Sequence, residues 1–155
     1  LIYIADVGEN RREELNVVSR TAAGTNFGWD VLEGTYCRSS DCTTVLDTTV
    51  LPVMEYAHDA GAAIIGGYVY AGQRAPLLNG RFIYADFEGF VRSLSVEGGM
   101  ARDIQEHFPL GSLFQDSQNP GCISSFGVDA DGELYALLWG GRACRFEAAP
   151  PPGRP

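Results

Sequence analysis

Apolar and polar positions alternate along this chain in short runs, each closed by Gly or Asp, and no window of a dozen residues keeps a helical stripe. The pattern predicts strands over residues 2–5, 15–18, 53–56, 67–70, 82–85, 91–96, 125–129, 133–138 and 143–146. It predicts one short helix over 100–107. The fold class that follows is all-β. Three stretches share a faint repeat: LIYIAD, RFIYADFEGFVRSLSV and ELYALLWGGRACRF each carry an aromatic-bearing strand, marked by Tyr3, Tyr84 and Tyr135. The second interval is close to the length of a four-stranded propeller blade, and the first is a blade plus a long insertion. A small β-sandwich is the alternative. The Gly-rich connection over 24–50 favours the repeat, as does Asp131-Gly132, where a hairpin needs positive φ. Residues 1–147 are expected to form one propeller-like piece. The stretch 148–155 (AAPPPGRP) reads as a Pro-rich tail or linker.

Charge narrows the partners. The 155 residues hold 20 acidic and 11 basic side chains, a net charge of −9, and every basic residue is Arg. Such a field repels phosphate backbones and anionic lipid, so nucleic acid is not an expected partner. The longest apolar runs fall well short of the roughly 20 residues that span a bilayer. The chain opens in LIYIAD without an initiator Met or a charged leader, and it is expected to be a piece of a longer protein. Four cysteines fall into two groups, with expected bridges Cys37–Cys42 and Cys122–Cys144. Two disulfides would suit an oxidising compartment, extracellular or periplasmic.

The densest polar segment, DVGENRREELN over residues 6–16, follows a strand, and Gly8 lets the chain turn there so that carbonyls and carboxylates converge. Hard cations take such oxygens; a solvated acidic turn is the plainer account. In NFGWDVLEGTYC, Phe27, Trp29 and Tyr36 either pack beneath a loop or form an aromatic rim for a sugar or a flat cofactor. His58, beside Asp59, is the general-base candidate, with a surface or capping role as the alternative.

In order, LIYIADVGENRREELNVV, TNFGWDVLEGTYC, PVMEYAHD, GGYVYAG, LLNGRFIYADFEGFVRSL and ISSFGVDADGELYAL resemble the C-terminal part of the glucose/sorbosone dehydrogenase family. That family includes soluble quinoprotein sugar dehydrogenases and Hedgehog-interacting-protein-like ectodomains. The resemblance implies a six-bladed β-propeller with about two to three blades in this chain. It implies an oxidoreductase acting on the CH–OH group of a sugar or aldose, with pyrroloquinoline quinone (PQQ) and Ca2+ as cofactors and a separate electron acceptor. The alternative is a secreted, non-catalytic, calcium-stabilised propeller. By resemblance, Gly8 and Glu9 offer backbone carbonyls to the calcium beside the cofactor, and Glu13 stands where a carboxylate orients the catalytic His, itself expected on an earlier blade. A second, structural calcium is implied near Glu33, Gly34 and Tyr36. Three departures matter: the family's cofactor-binding Lys falls near Phe87 in a chain without lysine, and two quinone-binding Arg fall near Cys122 and Ser124.

Overall fold

The computed structural model describes residues 1–88, 90–108 and 122–148. Twelve antiparallel strands and one helical turn follow one another: β1 (Ile2–Asp6), β2 (Arg12–Val18), β3 (Leu32–Glu33), β4 (Tyr36–Cys37), α1 (Thr43–Leu46), β5 (Met54–Ala57), β6 (Ile64–Val69), β7 (Phe82–Asp86), β8 (Val91–Glu97), β9 (Met100–Phe108), β10 (Ile123–Val128), β11 (Leu134–Leu138) and β12 (Arg142–Arg145). Short 3-10 turns cover His58–Ala60 and Pro76–Leu78. The strands make sheets ordered β1-β2-β5, β6-β7-β8-β9 and β10-β11-β12, with β3-β4 as a small ladder. The architecture is all-β, and the described residues do not close into a barrel or ring.

The four-stranded sheet lies between the other two, because β6 packs against both β1 and β10. This explains why β7 is buried at all five positions. Alternate residues of a strand face opposite sides. Phe82 and Tyr84 enter one core with Leu15, Val53, Ile64, Phe90 and Leu94. Ile83 and Ala85 enter the other with Tyr70, Ile123, Phe126 and Leu134. Tyr3 stacks on Phe82 with centroids 4.4 Å apart, tying β1 to the central sheet. Two of the aromatic marks of the repeat, Tyr3 and Tyr84, therefore sit between sheets, whereas Tyr135 hydrogen-bonds Asp129 within its own hairpin. Gly132, at φ +79°, makes the Asp-Gly turn before β11 as its sequence requires.

Two expectations are corrected. Residues 100–107 are not a helix: they belong to β9, an edge strand. Gly98 and Gly99, at φ +58° and +77°, reverse the chain and lay these residues against β8. A bulge near Asp103, itself at φ +47°, accommodates one extra residue opposite Ser93–Ser95. Pairing with β8 outweighs the weak helical tendency of so short a polar run. The second correction concerns cysteine. Cys37 and Cys42 are bonded, but Cys122 and Cys144 are free thiols. Cys122 lies opposite Trp139 at the head of β10, whereas Cys144 on β12 faces Ala136 of the intervening β11. Two strand spacings, roughly 10 Å, separate them, beyond the ~7 Å Cα reach of a disulfide. Of the tail expected over 148–155, Ala148 hydrogen-bonds the Arg74 carbonyl at 2.8 Å, and 149–155 lies outside the described residues.

Candidate functional site

The polar segment after β1 is a tight turn that becomes strand by Arg12, so half of the expected acidic loop is pleated sheet. Gly8 is required where the turn closes: a Cβ there would stand 2.0 Å from the Arg12 carbonyl oxygen and 2.6 Å from Glu33 Oε1. Glu33, delivered by β3, holds the turn from within. Its Oε1 accepts the backbone N–H groups of Asn10, Arg11 and Arg12 at 2.9, 2.5 and 2.9 Å. Burial alone would raise the Glu33 pKa, but these three donors and the nearby Arg38 outweigh it and hold the carboxyl below its usual range. Arg38 also pairs with Glu9 and lies over the Trp29 ring, 4.4 Å from its centroid. No described residue donates a hydrogen bond to the carbonyl oxygen of Gly8 or Glu9.

Glu13 is fully buried. Its Oε1 accepts the Gly8 N–H at 3.2 Å and lies 2.7 Å from His58 Nδ1, while Oε2 accepts the Ile64 N–H at 2.8 Å. One carboxylate thus joins the turn, the 3-10 turn at His58 and the first residue of β6. Because Glu13 serves as acceptor throughout, His58 Nδ1 donates to it, which fixes the ring and leaves Nε2 to other partners. His58 lines a cavity of about 260 Å³ with Asn10, Arg11, Arg12, Tyr36 and Asp59. The Arg11 guanidinium lies over the Tyr36 ring, 5.5 Å from its centroid.

Glu14, the next residue, points to the other face of β2 and is 6% exposed. It sits in a row with Asp6 on β1 and Glu55 on β5. Its Oε1 accepts a hydrogen bond from Asn16 Nδ2 at 3.0 Å, but Glu14 Oε2 and Asn16 Oδ1 are buried without a partner. Burial pushes the Glu14 carboxyl above its ordinary range; the Asn16 hydrogen bond and the nearby Gly34 backbone N–H offset this only in part, and Asp6 and Glu55 add to the rise. Glu55 Oε2 and Glu14 Oε2 lie 2.3 and 3.3 Å from where a Cβ on Gly34 would stand. Gly34, at φ +60°, is the turn between β3 and β4.

The structure therefore brings Gly8, Glu13 and Glu33 into one hydrogen-bonded turn. Glu9 joins through Arg38, and Tyr36 stands opposite Glu33 across the β3-β4 ladder. Glu14 belongs to the carboxylates that the segment over 6–16 offers to a hard cation, whereas Asn16 and Glu55 are not legible as its partners in the sequence; EELN does signal that alternation on a strand sends Glu13 and Glu14 to opposite faces. Among the described residues, no group of three or more His, Cys, Asp or Glu side chains is arranged as a ready metal cage. Elsewhere, Phe87 meets the 71%-exposed Trp139 edge-on, with centroids 5.9 Å apart. The Trp139 N–H donates to the Cys122 carbonyl, and the Ser124 hydroxyl donates to the Leu137 carbonyl. This wall is aromatic and neutral where the resemblance places cations. No described helix is long and apolar enough to cross a membrane.

No family model matches the chain. It is 35% identical to the HIPL1 protein of Arabidopsis thaliana over 162 residues, covering 88% of this chain and 23% of that protein. It is 31% identical to the HIPL2 protein of the same plant over 93 residues, covering 53% of this chain and 13% of the relative. The chain thus spans less than a quarter of the curated relatives it matches. Among solved structures, a glucose dehydrogenase superposes with a TM-score of 0.64 at 18% identity over 95% of this chain and 40% of its own. A second glucose dehydrogenase gives 0.58 at 19% identity over 89% and 39%. The chain is related in sequence to the HIPL proteins and shares the fold of part of the glucose dehydrogenases.

Proposed function

We propose that this chain is the C-terminal portion of a six-bladed propeller oxidoreductase, acting on the CH–OH group of a sugar or aldose with calcium and PQQ. The three sheets would be its later blades, over residues 1–147. The observation that carries the reading is the turn after β1: Glu33 draws the N–H groups of residues 10–12 inward, and the carbonyls of Gly8 and Glu9 receive no hydrogen bond from a described residue. Calcium takes six to eight oxygens, backbone carbonyls included. In this reading Gly8 and Glu9 hold the ion beside the cofactor, which when bound supplies the electron acceptor for sugar oxidation. Glu13 acts as a positioning residue, and the imidazole it orients is His58, within this chain.

Calcium also fits the other face of β2. Glu14 Oε2 and Asn16 Oδ1 are orphaned buried oxygens, with Glu55 beside them and the cradle kept open by Gly34. A hard cation is the partner that would satisfy them. In this reading the structural ion is held there, and Glu33 and Tyr36 shape the adjoining ladder. The quinone fits less well. Its three carboxylates need cationic partners, and the wall of Phe87, Trp139 and Cys122 is neutral. That observation favours a second reading, a secreted calcium-stabilised propeller that binds without turnover; the Cys37–Cys42 bond suits an extracellular or periplasmic setting for either.

Calorimetric titration of the whole protein with calcium, then with PQQ, followed by sugar-dependent dye reduction, tests the choice. Calcium-dependent quinone binding with dye reduction supports the enzyme. Calcium binding without quinone binding supports the non-catalytic propeller. In the enzyme, Glu13→Gln lowers turnover far more than calcium affinity, because the carboxylate acts through the imidazole rather than on the metal.

A further inference from the structure

The cavity between the β1–β2 turn and the 3-10 turn at His58–Ala60 holds groups that neither calcium nor the quinone uses in the reading above. Arg11 is exposed, and among the described residues it makes no ion pair: its recorded interactions are through the Tyr36 ring and its own backbone. Stacking occupies the flat face of a guanidinium and leaves the in-plane N–H edge open, the edge that grips a carboxylate or phosphate in bidentate fashion. Arg12, by contrast, is 3.7 Å from Glu55, and Arg38 is committed to Glu9. Arg11 is therefore the cation in this cavity without a carboxylate partner.

Opposite it stand groups suited to hydroxyls. His58 is fixed twice, by Glu13 on Nδ1 and by its own N–H donating to the Arg11 carbonyl at 2.9 Å. The ring is thus held in place, and no described residue hydrogen-bonds to its Nε2, which can exchange a hydrogen bond with a hydroxyl. Asp59 and Asn10 add an acceptor and an amide at the rim. A cavity of about 260 Å³ lies below the roughly 300–1,000 Å³ of drug-sized sites, which sets the scale at one monosaccharide-sized molecule. Asp59 would repel a ligand that is anionic all round, so the charge must sit at one end and hydroxyls at the other.

We propose that this cavity binds a hydroxylated monoanion of sugar size, a sugar acid, with its carboxylate on the Arg11 edge and its hydroxyls on His58 Nε2, Asp59 and Asn10. Binding needs neither calcium nor quinone, although the cavity shares His58 with the oxidoreductase reading. The test is calorimetry on the whole protein in calcium chelator, with gluconate, glucose and inorganic phosphate as separate probes. Gluconate binds at least about tenfold more tightly than glucose, the worth of one charge-assisted pair, and also more tightly than phosphate, which lacks the hydroxyl chain. Arg11→Gln brings gluconate down to the level of glucose, whereas Arg11→Lys, which keeps the charge, recovers most of the difference. Arg11 is exposed, so these variants keep the fold, and circular dichroism checks that they do. Equal affinity for gluconate and glucose, or for gluconate and phosphate, overturns the proposal, as does an Arg11→Gln variant that binds gluconate like the parent.

Discussion

Adjacent positions on β2 send Glu13 and Glu14 to opposite faces of one strand, and both are withdrawn from water. Glu13 meets two backbone N–H groups and an imidazole, and both its oxygens are used. Glu14 meets the Asn16 amide, the Gly34 N–H at the edge of reach and two further carboxylates, and its Oε2 makes no full hydrogen bond. Glu133, 5% exposed, behaves like Glu13: the Tyr70 hydroxyl and the N–H groups of Gln73 and Arg74 hold its carboxyl below the usual range despite burial. Two acids of similarly low exposure thus have opposite pKa directions: desolvation dominates at Glu14, whereas the Tyr70 hydrogen bond dominates at Glu133. Burial sets the demand for partners, and the neighbours decide whether a buried acid locks the fold or awaits an ion.

The largest effect expected from this contrast is on the Glu13 side. Glu13→Ala strands the Ile64 N–H and leaves His58 Nδ1 unpaired, and it should cost about 3 kcal/mol, since a buried N–H left without an acceptor costs about 1–3 kcal/mol and the deletion also opens a cavity. Urea unfolding reads this directly; a loss below ~1 kcal/mol would mean that Glu13 is no lock. Next in size is calcium. If Glu14 and Asn16 await a cation, calcium at a hundred times its Kd should add about 2.7 kcal/mol of stability, seen as a higher Tm. Glu14→Gln should cut that gain to what the ion at Gly8 and Glu9 contributes, while leaving the fold intact. A Tm indifferent to calcium would break the comparison at its weaker member.

A smaller effect is the pH dependence without calcium, where the two kinds of acid have opposite signs. Glu14 has a folded pKa above 4.5, so its contribution is most favourable below that value and is lost as pH rises through the raised pKa. Glu33 and Glu133 have folded pKa values below 4.5, so theirs is present above it and lost as pH falls. Replacing Glu14 by Gln should therefore favour the variant over the parent more at pH 7 than at pH 4, in paired denaturant titrations. Glu133→Gln should do the reverse. The smallest effect concerns the cysteines: Cys122→Ser should change stability by no more than about 0.5 kcal/mol. Peptide mapping under non-reducing conditions should find Cys122 and Cys144 free beside an intact Cys37–Cys42 bridge.

What the sequence determined by itself is the period-two patterning and the turn chemistry. FIYAD, LYALL and VRSLSV read as strands because they are short apolar or alternating runs closed by turn residues, and Asp-Gly turns where Gly accepts positive φ. The order of motifs likewise carried the resemblance, and with it the attention to Gly8, Glu13 and Glu33. Tertiary structure decided the rest. Residues 100–108 are too polar to declare a strand until two glycines fold them against β8. The distance between Cys122 and Cys144 is fixed by β11 standing between their strands. EELN reads as a solvated acidic patch until β5, β6 and the β3-β4 ladder close over it and assign each side chain its partner or withhold one. Alternation is local and survives in one dimension, whereas whether a buried carboxylate finds a donor depends on chain segments 20 to 50 residues away, as with Gly34 and Ile64.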